Sequence, residues 1–167
     1  MEAIWLELGH DGRMVGWSVV RERGERMENA SAMGYRAENG VIYGDEGQPG
    51  RYAFLTTGDL AIDAEGMRFV LRRAYAPVLG LDVLGSWRVF CARGETVTFS
   101  ASESDGLRVT FSTHGRTESG TWRVSENGLA VETLSRGSVL YTAFSRDGVR
   151  RTLSGPHGTL VLEPLDR

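Results

Sequence analysis

The sequence contains no lysine: all 19 of its Lys+Arg residues are arginine. That removes a Schiff-base lysine, a lysine general base and a phosphate-loop lysine, each of which needs an amine. A GC-rich coding sequence accounts for the bias without a functional cause. Cysteine occurs once, at Cys91, which excludes an intramolecular disulfide and any cysteine-rich metal site. Histidine occurs three times, at His10, His114 and His157, far apart and each just before a glycine or a turn, so no metal site is expected. No apolar run approaches the ~20 residues that cross a membrane. The start, Met1-Glu2-Ala3-Ile4-Trp5, has no basic segment followed by an apolar one, and the expected location is the cytoplasm. Net charge is −3 with both signs interspersed, which argues against nucleic acid or an anionic membrane as partner. There is no Gly-x-Ser-x-Gly elbow and no glycine-rich loop opening a helix, so neither a hydrolase triad nor nucleotide binding has support, and no cofactor is expected.

What is present is a run of strands from Gly85 to Pro164. Arg93-Gly94, Asp105-Gly106, His114-Gly115, Asn127-Gly128, Arg136-Gly137, Asp147-Gly148, Gly155-Pro156 and His157-Gly158 punctuate it as turns, Asp-Gly and Asn-Gly supplying the positive φ of tight hairpins. Between these turns apolar residues alternate. Leu107, Val109 and Phe111 share a face, as do Trp87, Val89 and Cys91, and Leu129 and Val131. Roughly eight such runs at about ten-residue spacing predict an antiparallel meander closed into a barrel or sandwich.

The first half is a blurred copy of the second. Asp11–Ser18 parallels Asp105–Ser112, and Tyr35–Val41 parallels Trp122–Leu129 with one gap. Tyr52-Ala53-Phe54 parallels Tyr141–Phe144, and Gly66–Leu71 parallels Gly158–Leu162. Residues 1–76 are thus read as repeat 1, short by about one strand, and 85–167 as repeat 2. The junction 77–84 is apolar at Val78, Leu79, Leu81, Val83 and Leu84 and is expected to lie against a barrel base as a short helical turn. Arg21–Asn29 reads as a charged exposed hairpin and Gly44–Gly50 as a loop. The fold class is all-β: two tandem antiparallel meander barrels, or one pseudo-two-fold barrel or sandwich built from both repeats.

The ordered series Leu84-Gly85-Ser86-Trp87, Thr96-Val97-Thr98-Phe99, Gly120-Thr121-Trp122-Arg123-Val124, Glu126-Asn127-Gly128-Leu129 and Leu160-Val161-Leu162 resembles a small bacterial lipocalin-like domain of the calycin superfamily. Such domains often end Leu-x-Arg, where this chain has Leu162-Glu163-Pro164. An arginine stacked on Trp87 would then have to come from elsewhere. The resemblance also implies interior arginine and tyrosine that hold a ligand carboxylate. Arg151 fits by parity, lying between Val149 and Leu153 on one face where repeat 1 has Ile62, with Tyr141 as companion. An interior charge is costly unless paired. The alternatives are that Arg151 reaches out at the barrel mouth or pairs with Glu132 or Glu163.

Trp17 and Tyr52 join Arg151 and Tyr141 as ligand-binding candidates. His10, Asp11 and His114, at related turns of the two repeats, are weak candidates for catalysis as general base and partner. The functional expectation is binding of a small apolar or carboxylated metabolite in a barrel or between the repeats. Two alternatives stay open: a cofactor-independent isomerase or cyclase, and a structural module without ligand. The strand Ala3–Leu8, with Ile4, Leu6 and Leu8 on one face and Trp5 on the other, suits burial on both sides. It is expected to be covered by the other repeat or by a second copy, a homodimer being favoured.

Overall fold

The computed structural model describes residues 3–45, 48–102 and 104–165. It is 68% strand and 3% helix, in two antiparallel sheets. The first sheet runs in chain order through β1 (Ala3–Leu8), β2 (Arg13–Glu22), β3 (Glu25–Glu38), β4 (Val41–Gly44), β5 (Gly50–Phe54), β6 (Leu60–Ala64) and β7 (Met67–Leu71), and forms a half-barrel. A single-turn helix, α1 (Gly80–Val83), precedes the second sheet. That sheet holds β8 (Gly85–Val89), β9 (Glu95–Ser102), β10 (Gly106–Thr113), β11 (Arg116–Ser125), β12 (Gly128–Thr133), β13 (Gly137–Tyr141), β14 (Ala143–Asp147), β15 (Arg150–Gly155) and β16 (Gly158–Pro164). Its first strand pairs with its last, β8 beside β16, so the meander wraps on itself into a nearly closed barrel with β13 and β14 at the two edges. The Thr142 N–H donates to the Ser154 carbonyl at 2.8 Å across the remaining gap.

The turns follow the sequence signals. Asn39-Gly40 and His114-Gly115 have positive φ at both residues (52° and 77°; 47° and 78°), the geometry whose twist matches flanking strands. The charged hairpin has its turn at Arg23-Gly24, and residues 21–29 are exposed. Of the expected Gly44–Gly50 loop, Asp45, Gln48 and Pro49 lie outside strands, while Glu46 and Gly47 lie outside the described residues, as do Met1 and Glu2. One parity expectation fails. β8 ends at Val89, and Cys91 follows with φ 65° on an exposed turn, because the strand stops before the alternation can carry it inward. The strand difference is also larger than expected, seven against nine. In the second sheet the chain breaks at Thr142 between β13 and β14, and that break is where the barrel closes.

Compactness cuts the chain differently from sheet membership. One compact unit joins Met1–Glu7 and Val15–Ala32 to Ala76–Arg167; the other comprises Leu8–Met14 and Met33–Tyr75. In the first unit the interior positions of the nine-stranded sheet are filled. Val97, Phe99, Val109, Trp122, Leu129, Leu153 and Leu162 are buried, with Phe99 and Trp122 edge to face at 5.9 Å. Large aliphatic and aromatic side chains at inward positions fill a small barrel to normal interior density. No helix among the described residues is long and apolar enough to cross a membrane.

Candidate functional site

The site is built on the apolar junction. Val78 and Val83 are fully buried in the core, which pins α1 against the barrel end. Gly80 lets the helix approach: a Cβ there would lie 2.9 Å from the Trp122 ring. The Trp87 indole N–H donates to the Val83 carbonyl at 2.7 Å. The cap residue Leu79 supplies no side-chain acceptor for the first turn. Glu7 supplies it from β1, its Oε1 accepting from the Gly80 N–H (2.9 Å) and the Trp5 indole (3.1 Å), its Oε2 from the Leu81 N–H (3.0 Å). A carboxylate at orphan helical N–H groups is well placed. Burial nonetheless raises the Glu7 pKa; the hydrogen bonds from Gly80, Leu81 and Trp5 oppose the shift, and Asp82 adds to it. Trp5, half-buried, packs against the same core. The Trp5 and Glu7 face of Ala3–Leu8 is thus covered within the chain.

Asp82 carries the cluster outward. Burial raises its pKa, while a backbone bond from Leu79 and the charges of Arg151 and Arg146 lower it. Arg151 has the inward parity expected, paired across β15–β16 with Leu162, which in turn pairs with Val89. Its guanidinium carbon stands 5.6 Å from the centre of the Trp87 ring, so the arginine over Trp87 comes from β15. Across β14–β15 its register partner is Arg146. Arg151 Nη1 donates to the carbonyls of Gly148, Val149 and Arg150 at 3.2–3.3 Å, and Arg146 Nε to that of Gly148 at 3.3 Å. Among the described residues neither guanidinium has a carboxylate within ion-pair distance; the partner of Glu163 is Arg150, at 2.6 Å. Burial, then Arg146, draw the Arg151 pKa down, and Asp82 opposes both.

The other candidates are placed elsewhere. Tyr141 is buried, which raises its hydroxyl pKa, and the charge acting on it is Arg136. Arg136 itself lies 4.0 Å over the Phe111 ring and pairs with Glu95. Trp17 shares a face with Trp5 and Glu7, since Gly16 lies against Leu6 on the opposite face. Its indole N–H is buried without a partner among the described residues. Tyr52 belongs to the other compact unit, edge to face with the exposed Phe54 at 6.4 Å. His10 and Asp11 are exposed turn residues of that unit, Asp11 accepting from the Arg13 N–H at 3.1 Å. His114 is exposed at a positive-φ turn position of the first unit. His10 and Asp11 thus belong to one compact unit and His114 to the other. Among the described residues no group of three or more His, Cys, Asp or Glu is placed to hold a metal ion.

Glu7, Asp82 and Arg146 are the site residues that the sequence reading missed. A signal existed for two of them. Glu7 is the acid within the apolar strand Ile4–Leu8, and Asp82 the acid within the apolar junction Val78–Leu84. An open depression of about 480 Å³ lined by Arg88, Phe90, Cys91, Arg93 and Glu163 does not include Arg151. No protein-family model, curated protein or solved structure matches the chain.

Proposed function

We propose that the protein binds a small apolar molecule bearing a carboxylate, on a lipocalin-like scaffold, at the α1 end of the C-terminal barrel. The observation that carries this reading is the pair Arg146 and Arg151, directly opposed across β14–β15, with Trp87 beneath Arg151 and no carboxylate partner for either among the described residues. Two adjacent cations repel, and an anionic ligand relieves that repulsion with charge-assisted hydrogen bonds. With the barrel interior filled, the ligand meets the arginines at the mouth and lays its apolar part on exposed surface there. The Trp17 indole N–H, without a partner among the described residues, lies on the strand face that also carries Glu7. The expected partner is a hydrophobic metabolite, and the expected setting the cytoplasm.

Dodecanoate and dodecanol, titrated against tryptophan fluorescence, test this. Dodecanoate is expected to saturate the signal and to outbind the alcohol, and Arg151→Met to weaken it by about 10- to 100-fold, the loss of one charge-assisted contact. No saturable signal, or equal affinity of wild type and Arg151→Met, would sink the reading.

The filled core also favours a second reading, an interaction module without ligand. Phe54, Tyr75 and Leu134 are large apolar side chains left at 74%, 80% and 97% exposure. Failure of both titrations with an intact fold would leave this one standing.

A further inference from the structure

We infer that β7 is a self-pairing edge, through which two copies of this chain join antiparallel along Met67–Leu71 about a two-fold axis at Phe69. The inference is independent of the ligand site. β7 ends its sheet, paired with β6 on one side, so its other side presents unpaired backbone groups among the described residues. The usual protections of an edge are weak here. The strand contains no proline, and its one charge, Arg68, is directed to Asp63 of its own sheet at 3.8 Å. Met67 and Val70 are 52% and 55% exposed.

The register selects the occupant. Tyr52, Ile62 and Phe69 form one cross-strand row on the apolar face of the sheet, and Leu71 lies on the same face opposite Leu60. A two-fold axis at Phe69 sets Phe69 against Phe69 and Met67 against Leu71 of the second copy, so the apolar face continues unbroken from one sheet into the other. It also sets Arg68 against Val70 of the second copy, twice per dimer, so no two like charges of β7 face each other. Neighbouring registers fail. An axis at Arg68 opposes two arginines, and an axis at Val70 opposes Arg68 and Arg72. A shift by a single residue turns the apolar face of one copy onto the polar face of the other. The sequence around β7 is thus complementary to itself in one alignment, which is the requirement for a closed two-fold interface.

Sedimentation of the full chain across the micromolar range tests this. The wild type is expected to dimerise reversibly. Val70→Arg and Val70→Lys are each expected to weaken the dimer at least about fivefold, because the two-fold axis sets the new cation against Arg68 of the other copy twice. Arg68→Glu combined with Val70→Arg, which sets opposite charges at the two opposed positions, should return close to wild-type affinity. Unchanged thermal unfolding of the single variants at low concentration would show that the loss is one of association. A monomer at 200 µM, about the upper end of such measurements, overturns the inference. So does a dimer that ignores all three variants, which would place the contact on another edge such as β1.

Discussion

Replacing Glu7 by alanine is expected to lower the unfolding free energy by about 2–4 kcal/mol, the cost of leaving the buried Gly80 N–H, the half-buried Leu81 N–H and the Trp5 indole without their acceptor. In a chain of this size that is a fall of roughly 5–12 °C in Tm. The residue is 6% exposed, so solvent cannot replace the carboxylate. It also ties the ends of a long chain interval together, joining β1 to α1 across 73 positions. The pH dependence has a definite sign. Burial raises the folded-state Glu7 pKa above its ordinary value, so between the two values the folded protein holds more protons than the unfolded chain. The stability this confers is fully present below the ordinary glutamate pKa and is lost as pH rises through the raised folded one. Glu7→Gln keeps the shape and removes the titration, while Asp82 is present in both proteins. Urea unfolding of the pair is expected to show wild type losing stability relative to Glu7→Gln as pH rises from about 4.5. A difference that is flat, or that grows with pH, would mean that the carboxylate is not held in a buried setting.

The strands were legible because two local signals agree along the chain. Turn dipeptides such as Asn39-Gly40 and Asn127-Gly128 mark the ends, and a period of two marks the faces. The Arg151 parity was legible for the same reason. Its surroundings were not, because they depend on which strands become neighbours. Pairing Arg151 with Tyr141 assumes that the strand of Tyr141 lies directly before that of Arg151. The break at Thr142 inserts β14 between them, and the residue opposite Arg151 becomes Arg146. The Trp87 partner shows the converse. The ending Leu162-Glu163-Pro164 has no arginine to set on Trp87, and closure of the sheet brings Arg151 over the ring from the strand adjacent to the last. Glu7 lay beyond local reading altogether. Its two backbone N–H donors are 73 and 74 positions away, and only the fold sets them beside β1.

Closure of the C-terminal barrel rests on a residue that the sequence marks only as part of the turn dipeptide Gly155-Pro156. Gly155, the last residue of β15, lies so close to β13 that a Cβ there would stand 2.0 Å from the Leu140 carbonyl oxygen and 3.0 Å from the Tyr141 Cα. Both are backbone atoms, so a rotamer change cannot relieve the overlap; the strands must part by more than about 1 Å, an ordinary contact needing about 3.4 Å or more. The Thr142–Ser154 bond lies at the same seam and stretches with it. Gly155→Ala is therefore expected to destabilise by about 3 kcal/mol or more, at the upper end for overpacking. Gly137→Ala is the matched control. Gly137 has φ 67° but nothing within 4 Å of its would-be Cβ, so the cost there is backbone strain alone, about 1–2 kcal/mol. Urea midpoints of the two variants, together with amide exchange at Thr142, separate the mechanisms. Gly155→Ala should unfold earlier and expose the Thr142 N–H in the folded state, or fail to accumulate as folded protein while Gly137→Ala does. Equal midpoints with Thr142 still protected would show that β13 and β15 do not meet at this seam and that the barrel closes elsewhere.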